Sequence, residues 1–250
     1  MAGSLAMAIF KSMFSPILKV LSSTILSLSL VGCMQTANLK NQDRQQLIVI
    51  PEKMWHKNAD KAYQDIVNDL TESGAIIYDQ RLTQIMQTLM PVAYEYRPDS
   101  RHWNWQISAL MSNKLNAHGF AGGKVLLHQG IYWSLNLTDD ELAYVIAHEM
   151  AHSLREHGRE RLSTSVLLGP LALLKNGGRS IKSTIEQEAD LLGLEMIKKA
   201  NYDPNAAITF WEKYQNETIR RAQNGGDEPL MTRDFIEQRL QAIESRLSTL

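Results

Sequence analysis

The stretch from Thr138 to Leu162 constrains this chain more than any other part of it. Thr138-Asp139-Asp140-Glu141 matches the S/T-x-x-E capping box, in which threonine and glutamate side chains satisfy backbone N–H groups at a helix start. Leu142, Val145 and Ile146 follow at the spacing of a buried helix face. The helix so opened is expected to run through AYVIAHEMAHSLREHG to about Leu162. That same apolar helix carries His148, Glu149, His152, Glu156 and His157. Two imidazoles inside a plain core would each need a hydrogen-bond partner. The alternative is that the helix is buried around a polar site.

His148-Glu149-Met150-Ala151-His152 reads H-E-x-x-H. Positions i and i+4 differ by only about 40° around a helix, so both imidazoles project from one face and can share a metal. Glu149 points to the side, where it can hold a metal-associated water and act as general base. Neutral imidazoles leave Zn²⁺ a strong Lewis acid, which makes one zinc per chain the expected cofactor. His157 lies nine residues after His148, about half a turn round a continuous helix, and is assigned to the surface or an outer position. The longer pattern H-E-x-x-H-x-x-G-x-x-H fails, with Arg155 at its glycine and Gly158 at its third histidine. A catalytic zinc takes three protein ligands, so one must come from elsewhere. Ile185-Glu186-Gln187-Glu188-Ala189-Asp190 offers it: Glu186 and Asp190 share a helix face and Glu188 points roughly opposite. One carboxylate can bind the metal while another orients an imidazole. The plain alternative is an exposed acidic stripe, and the residues alone do not choose between Glu186 and Glu188.

The N-terminal residues are of another kind. Residues 1–32 hold Lys11 and Lys19, no acidic residue, and the apolar run VLSSTILSLSLVG. This is the layout of a secretory signal, too short for a bilayer span of roughly 20 residues. Leu30-Val31-Gly32-Cys33 looks like a bacterial lipobox, which implies cleavage before Cys33 and lipidation of its thiol. Cys33 is the only cysteine, so no internal disulfide can form. Met34 is not the aspartate that signals retention at the inner membrane, so the expected location is the periplasmic face of the outer membrane. The chain is thus divided into a signal at 1–32, a lipidated tether at 33–59 and one domain at 60–250. A formal charge of −1 provides no footprint for nucleic acid.

Within that domain, apolar positions recur at helical spacing from Asp60 to Tyr94, with a break at Glu72-Ser73-Gly74. Residues 101–133 are aromatic and β-branched, with a turn at Gly122-Gly123, and are expected to form three strands. SVLLGPLALLKNGG is read as core or as a mobile segment over the site, and helical patterns follow at about 181–200, 204–223 and 233–248. The expected fold is α+β, mostly helical, with a small sheet before the central helix.

At this point the chain resembles the HtpX-like gluzincin metallopeptidases, which include CAAX-prenyl endopeptidases, Oma-type mitochondrial proteases and periplasmic BepA-like proteases. Three blocks carry the resemblance: Asn116-Ala117-His118-Gly119-Phe120-Ala121-Gly122-Gly123-Lys124-Val125, His148–His152 running on to Gly158, and Glu186-x-x-x-Asp190. It implies the gluzincin fold, zinc ligation by His148, His152 and Glu186, Glu149 as base, and Asp190 as the residue steadying the ligands. It implies that Asn116, Ala117, Gly122 and Gly123 border a cleft where an extended protein substrate adds as a strand. Periplasmic relatives carry Thr-His-Pro before the last helix, where this chain has Thr232-Arg233-Asp234. Arg233 is therefore expected to meet a cleft carboxylate or a substrate carbonyl. The activity so implied is zinc endoproteolysis of misfolded or stalled envelope proteins, with envelope assembly machinery as partner. Two rivals are an assembly factor acting mainly by binding, and a small-molecule metallohydrolase.

Overall fold

The computed structural model describes residues 44–168, 176–225 and 231–250. The signal, Cys33 and residues 169–175 of the SVLLGPLALLKNGG segment lie outside the described residues. Helix α1 (Glu52–Glu72) leads to strand β1 (Ile76–Ile77) and helix α2 (Gln80–Tyr96). Strands β2 (Gln106–Leu110), β3 (Ala117–Phe120) and β4 (Lys124–His128) follow, then a short helix α3 (Gln129–Trp133). The remainder is helical: α4 (Asp139–Leu154), α5 (His157–Leu168), α6 (Asn176–Lys199), α7 (Ala206–Gln223) and α8 (Arg233–Leu247).

The sheet order is β1-β2-β4-β3, with β2 and β4 parallel and the outer pairs antiparallel. Every residue of β4 is buried, as a strand covered on both faces requires. The three strands expected between residues 101 and 133 are present, joined by the short β1 at one edge. The other edge is β3, which packs along α4. Ser153 Oγ on α4 donates to the Phe120 carbonyl on β3 at 2.8 Å.

Helix α4 is the central element. Its capping box is complete: the Glu141 backbone N–H donates to Thr138 Oγ1 at 3.3 Å and the Thr138 N–H donates to Glu141 Oε2 at 2.8 Å. Leu142, Ile146, Met150 and Leu154 are fully enclosed, joined in one core by Leu89, Val125, Leu192 and Trp211. A helix buried on most sides cannot show a narrow apolar stripe, which is why its polar residues are informative.

Two expectations are corrected here. The helix does not run on to Leu162: it ends at Leu154, Glu156 adopts φ +54°, and α5 sets off from His157. A left-handed conformation at a residue other than glycine costs roughly 1–2 kcal/mol. Buried cations compensate, with Arg159 Nη1 2.5 Å and Arg97 Nη1 3.6 Å from the Glu156 carboxylate. Nor is the whole of 33–59 a tether. Gln46, Ile48 and Ile50 are buried in alternation with exposed Leu47 and Val49, and α1 already begins at Glu52. Two of the polar residues that suggested a linker, Arg44 and Gln46, are instead paired with Glu160 and Glu188 on the helices beneath.

Candidate active site

The central imidazoles turn their Nε2 atoms toward one another. His148 Nε2 and His152 Nε2 stand 3.0 Å apart, and Glu186 Oε2 on α6 lies 3.6 Å and 3.9 Å from them. Ligands about 2.0–2.1 Å from a tetrahedral zinc are about 3.3 Å from each other. The three donor atoms therefore form the right triangle for that ion, and two imidazoles with one carboxylate are a zinc-type donor set. α6 reaches α4 this closely at Gly193, where a Cβ would lie 3.0 Å from the His148 backbone nitrogen.

Each imidazole has a partner on its far nitrogen. His148 Nδ1 is 3.0 Å from Asp190 Oδ1. Asp190 is fully buried, and the same oxygen accepts from the Tyr144 hydroxyl at 2.7 Å while Trp211 Nε1 donates to Tyr144 at 3.1 Å. Arg239 on α8 grips the carboxylate with Nε and Nη2, at 2.5 and 2.6 Å, and stacks 4.0 Å above the Trp211 ring. Burial raises the Asp190 pKa, but Arg239 and His148 overcome it and hold the group down at about 2. An ionised Asp190 accepts the His148 Nδ1 proton, which leaves the Nε2 lone pair facing His152 and Glu186.

His152 is held from the other side. Its Nδ1 is 2.9 Å from His157 Nδ1, and His157 Nε2 is 3.1 Å from Glu188 Oε2. His157 is thus buried beside His152, not on the surface. The turn at Glu156 breaks the helical azimuth on which the surface expectation rested. Burial depresses the His152 pKa far below 6.5, and the neighbouring His148 adds to that. Burial in turn raises Glu149, partly offset by His148, to about 7, and that carboxyl group sits beside the backbone of β3. Gly119 permits the approach: a Cβ there would meet the Glu149 carbonyl at 2.5 Å.

A cleft of about 530 Å³ opens over these groups. Asn116, Ala117 and Gly119 form one wall, with Phe210 and Tyr214 among the residues of the other. Gly122 and Gly123 do not line it. They form the β3–β4 turn at the far end of the hairpin, with φ +76° and +82°, against His56 and Trp105. Arg233 does not reach it either, being exposed and paired with Glu237 at 2.8 Å. Arg239, six positions on, does line it, as does Arg161, and Arg239 Nη1 is 3.4 Å from Glu186 Oε2. Tyr144 carries no motif of its own, so no spacing rule could single it out, whereas Glu188, weighed above as a ligand, stands instead behind His157.

Fold and site together define a metallopeptidase domain of the gluzincin type. Residues 77–180 match the model of Peptidase family M48. It is 27% identical over 207 residues to the Beta-barrel assembly-enhancing protease of Yersinia pestis, across 72% of this chain and 42% of that protein. The protein of the same name from Escherichia coli K12 is 26% identical over 208 residues, with the same coverage. The Mitochondrial metalloendopeptidase OMA1 of Schizosaccharomyces pombe is 32% identical over 126 residues, 44% of this chain and 37% of its own. The chain spans less than half the length of each of these relatives.

Proposed function

We propose that this chain is a zinc-dependent endopeptidase whose metal is held by His148, His152 and Glu186. The observation that carries the reading is the convergence of two Nε2 atoms and one carboxylate oxygen, each imidazole having its other nitrogen occupied by a buried partner. Zinc held there would supply Lewis acidity to a water and to the scissile carbonyl. Glu149, buried and pushed up to about 7, is suited to take a proton from that water and return it to the leaving amine near neutral pH. β3 is an edge strand bordering the cleft, so an extended polypeptide can lie along it and be held by main-chain hydrogen bonds.

The substrate class extends the same proposal: unfolded or stalled proteins of the bacterial envelope, cut by an enzyme lipidated at Cys33 on the periplasmic side of the outer membrane. Its support is the lipobox-like Leu30–Cys33 and the assembly-enhancing protease activity for which the bacterial relatives are named. No helix among the described residues is long and apolar enough to cross a membrane. The test is zinc content and casein cleavage of the full chain in detergent, wild type against Glu149→Gln. The variant is expected to keep its zinc and lose roughly 10²–10⁴-fold in turnover. Cleavage at the wild-type rate would remove Glu149 from the chemistry. Persistence of the cellular function in that variant would favour a binding role over proteolysis.

A further inference from the structure

The chain of polar contacts behind His152 does not stop at Glu188. Glu188 Oε2 accepts from Arg44 Nη2 at 2.8 Å, and Arg44 Nε bonds the other carboxylate oxygen. Arg44 also donates to both oxygens of Glu160, at 2.5 and 2.8 Å. One guanidinium thus bridges a carboxylate on α5 and another on α6. Two residues on, Gln46 Nε2 donates to the Arg155 carbonyl and to Glu160 Oε2, each at 2.8 Å. The segment that carries them is pinned below by Ile48 and Ile50.

We propose that Arg44 is a positioning residue for His152, acting through Glu188 and His157. The segment 44–50 then completes the metal site from outside the catalytic helices. This inference rests on the reading of His148, His152 and Glu186 as metal ligands. The physical reason lies in tautomers. To offer Nε2 to a metal, His152 must carry its proton on Nδ1, and that proton needs an acceptor. The acceptor is His157 Nδ1, which is free to accept only while the His157 proton sits on Nε2. Glu188 keeps it there by accepting it. Arg44 fixes the Glu188 carboxylate with a planar fork that lysine cannot reproduce. Arg155 Nη2, 3.2 Å from Glu188 Oε1, is the other cation beside that carboxylate; without Arg44 the carboxylate can turn toward it and away from His157, and the His157 proton can settle on Nδ1. Donor would then face donor at His152.

The test uses full-length chain in detergent, with zinc affinity measured by competition against a chromophoric chelator and unfolding followed for the metal-free forms. Arg44→Ala is expected to bind zinc about tenfold more weakly, at the low end of what outer partners of metal ligands contribute. Arg44→Lys should recover part of the loss, because it restores the charge without the fork. Ile50→Ala, on the same segment but away from the carboxylates, should lower thermal stability and leave zinc affinity alone. Arg44→Ala binding zinc as tightly as wild type overturns the proposal. So does an Ile50→Ala variant weakened as much as Arg44→Ala, since general loosening would then suffice. Should Arg44→Ala not fold, Arg44→Lys decides: affinity equal to wild type overturns the proposal, and a loss of about threefold or more supports it. Wild-type chain that takes up no zinc overturns this inference and the metal reading together, whereas a zinc-binding wild type with an indifferent Arg44 overturns this one alone.

Discussion

His148 and His152 stand one turn apart on α4, yet their far nitrogens look into different surroundings. Behind His148 are Asp190, Tyr144, Trp211 and Arg239, contributed by four helices and all buried in the main core. Behind His152 the contacts pass through His157 and Glu188 and end at Arg44, whose side chain is 31% exposed on the N-terminal segment. The first arm is closed inside the domain and cannot be altered without disturbing its packing. The second ends on a part-exposed side chain, where a substitution should disturb less packing. A symmetric pair of imidazoles in sequence has thus become one ligand tied to the core and one tied to the chain's approach to the domain.

The sharpest way to break this contrast is Asp190→Asn. Removing that carboxylate takes away the closer counter-ion of the buried Arg239 guanidinium and leaves it only Glu186, 3.4 Å away, which is expected to cost about 3 kcal/mol of stability. Zinc affinity should fall by about 10- to 100-fold with it. Denaturant unfolding of the metal-free chain checks the first, and a loss under about 1 kcal/mol would show that the arm is not closed. His157→Phe strikes the other arm. It leaves the His152 Nδ1–H without its acceptor, at an expected 1–3 kcal/mol, and zinc binding should weaken by about tenfold. If His157→Phe destabilised the chain more than Asp190→Asn, the contrast between the arms would be reversed.

Acid titration separates both arms from a histidine that belongs to neither. His128 is buried in β4, and neither ring nitrogen has a hydrogen-bond partner among the described residues. Burial, with the neighbouring His118 and Lys114, pushes its pKa down from 6.5 to about 4. Between those values the unfolded chain takes up a proton that the folded chain refuses, so stability rises with pH through this window. The folded state should thus carry no penalty from His128 above about pH 6.5 and lose stability as pH falls toward 4. Urea unfolding at several pH values should show that slope reduced in His128→Phe. The smallest effect is expected at Arg233→Ala, which removes only an exposed pair with Glu237. Stability should move by less than about 0.5 kcal/mol and casein cleavage should not change; a large loss of activity would put Arg233 back at the cleft.

Much of the site was legible because its signals are local. The capping box, the i, i+4 pair His148 and His152, and the i, i+4 pair Glu186 and Asp190 each follow from helix geometry over a few residues. The helices after residue 176 and the strands between 101 and 133 were likewise readable from periodicity and turn glycines. What could not be read was every contact that depends on two elements meeting. His157 was placed by extrapolating one helix through Glu156, where buried cations at the end of α2 and on α5 hold a left-handed turn. Arg44 and Gln46 look like linker residues until Glu160 and Glu188 lie beneath them. Arg233 stands where a motif alignment points, but its helix faces it to solvent and turns Arg239 inward.

The amino-acid sequence by itself determined the donor types, their helical spacing and the order of the elements, because these depend on bonds and contacts within a turn or two of chain. Only the tertiary structure decided which acceptor sits behind each imidazole and which arginines line the cleft. It also decided that the N-terminal segment packs behind Glu188 and Glu160. Those choices are made between different elements, from His148 and Asp190 to Arg44 and Glu188, where no local periodicity records which faces meet. The packing of α4 against α6 and β3, at Gly193 and Gly119, sets that juxtaposition.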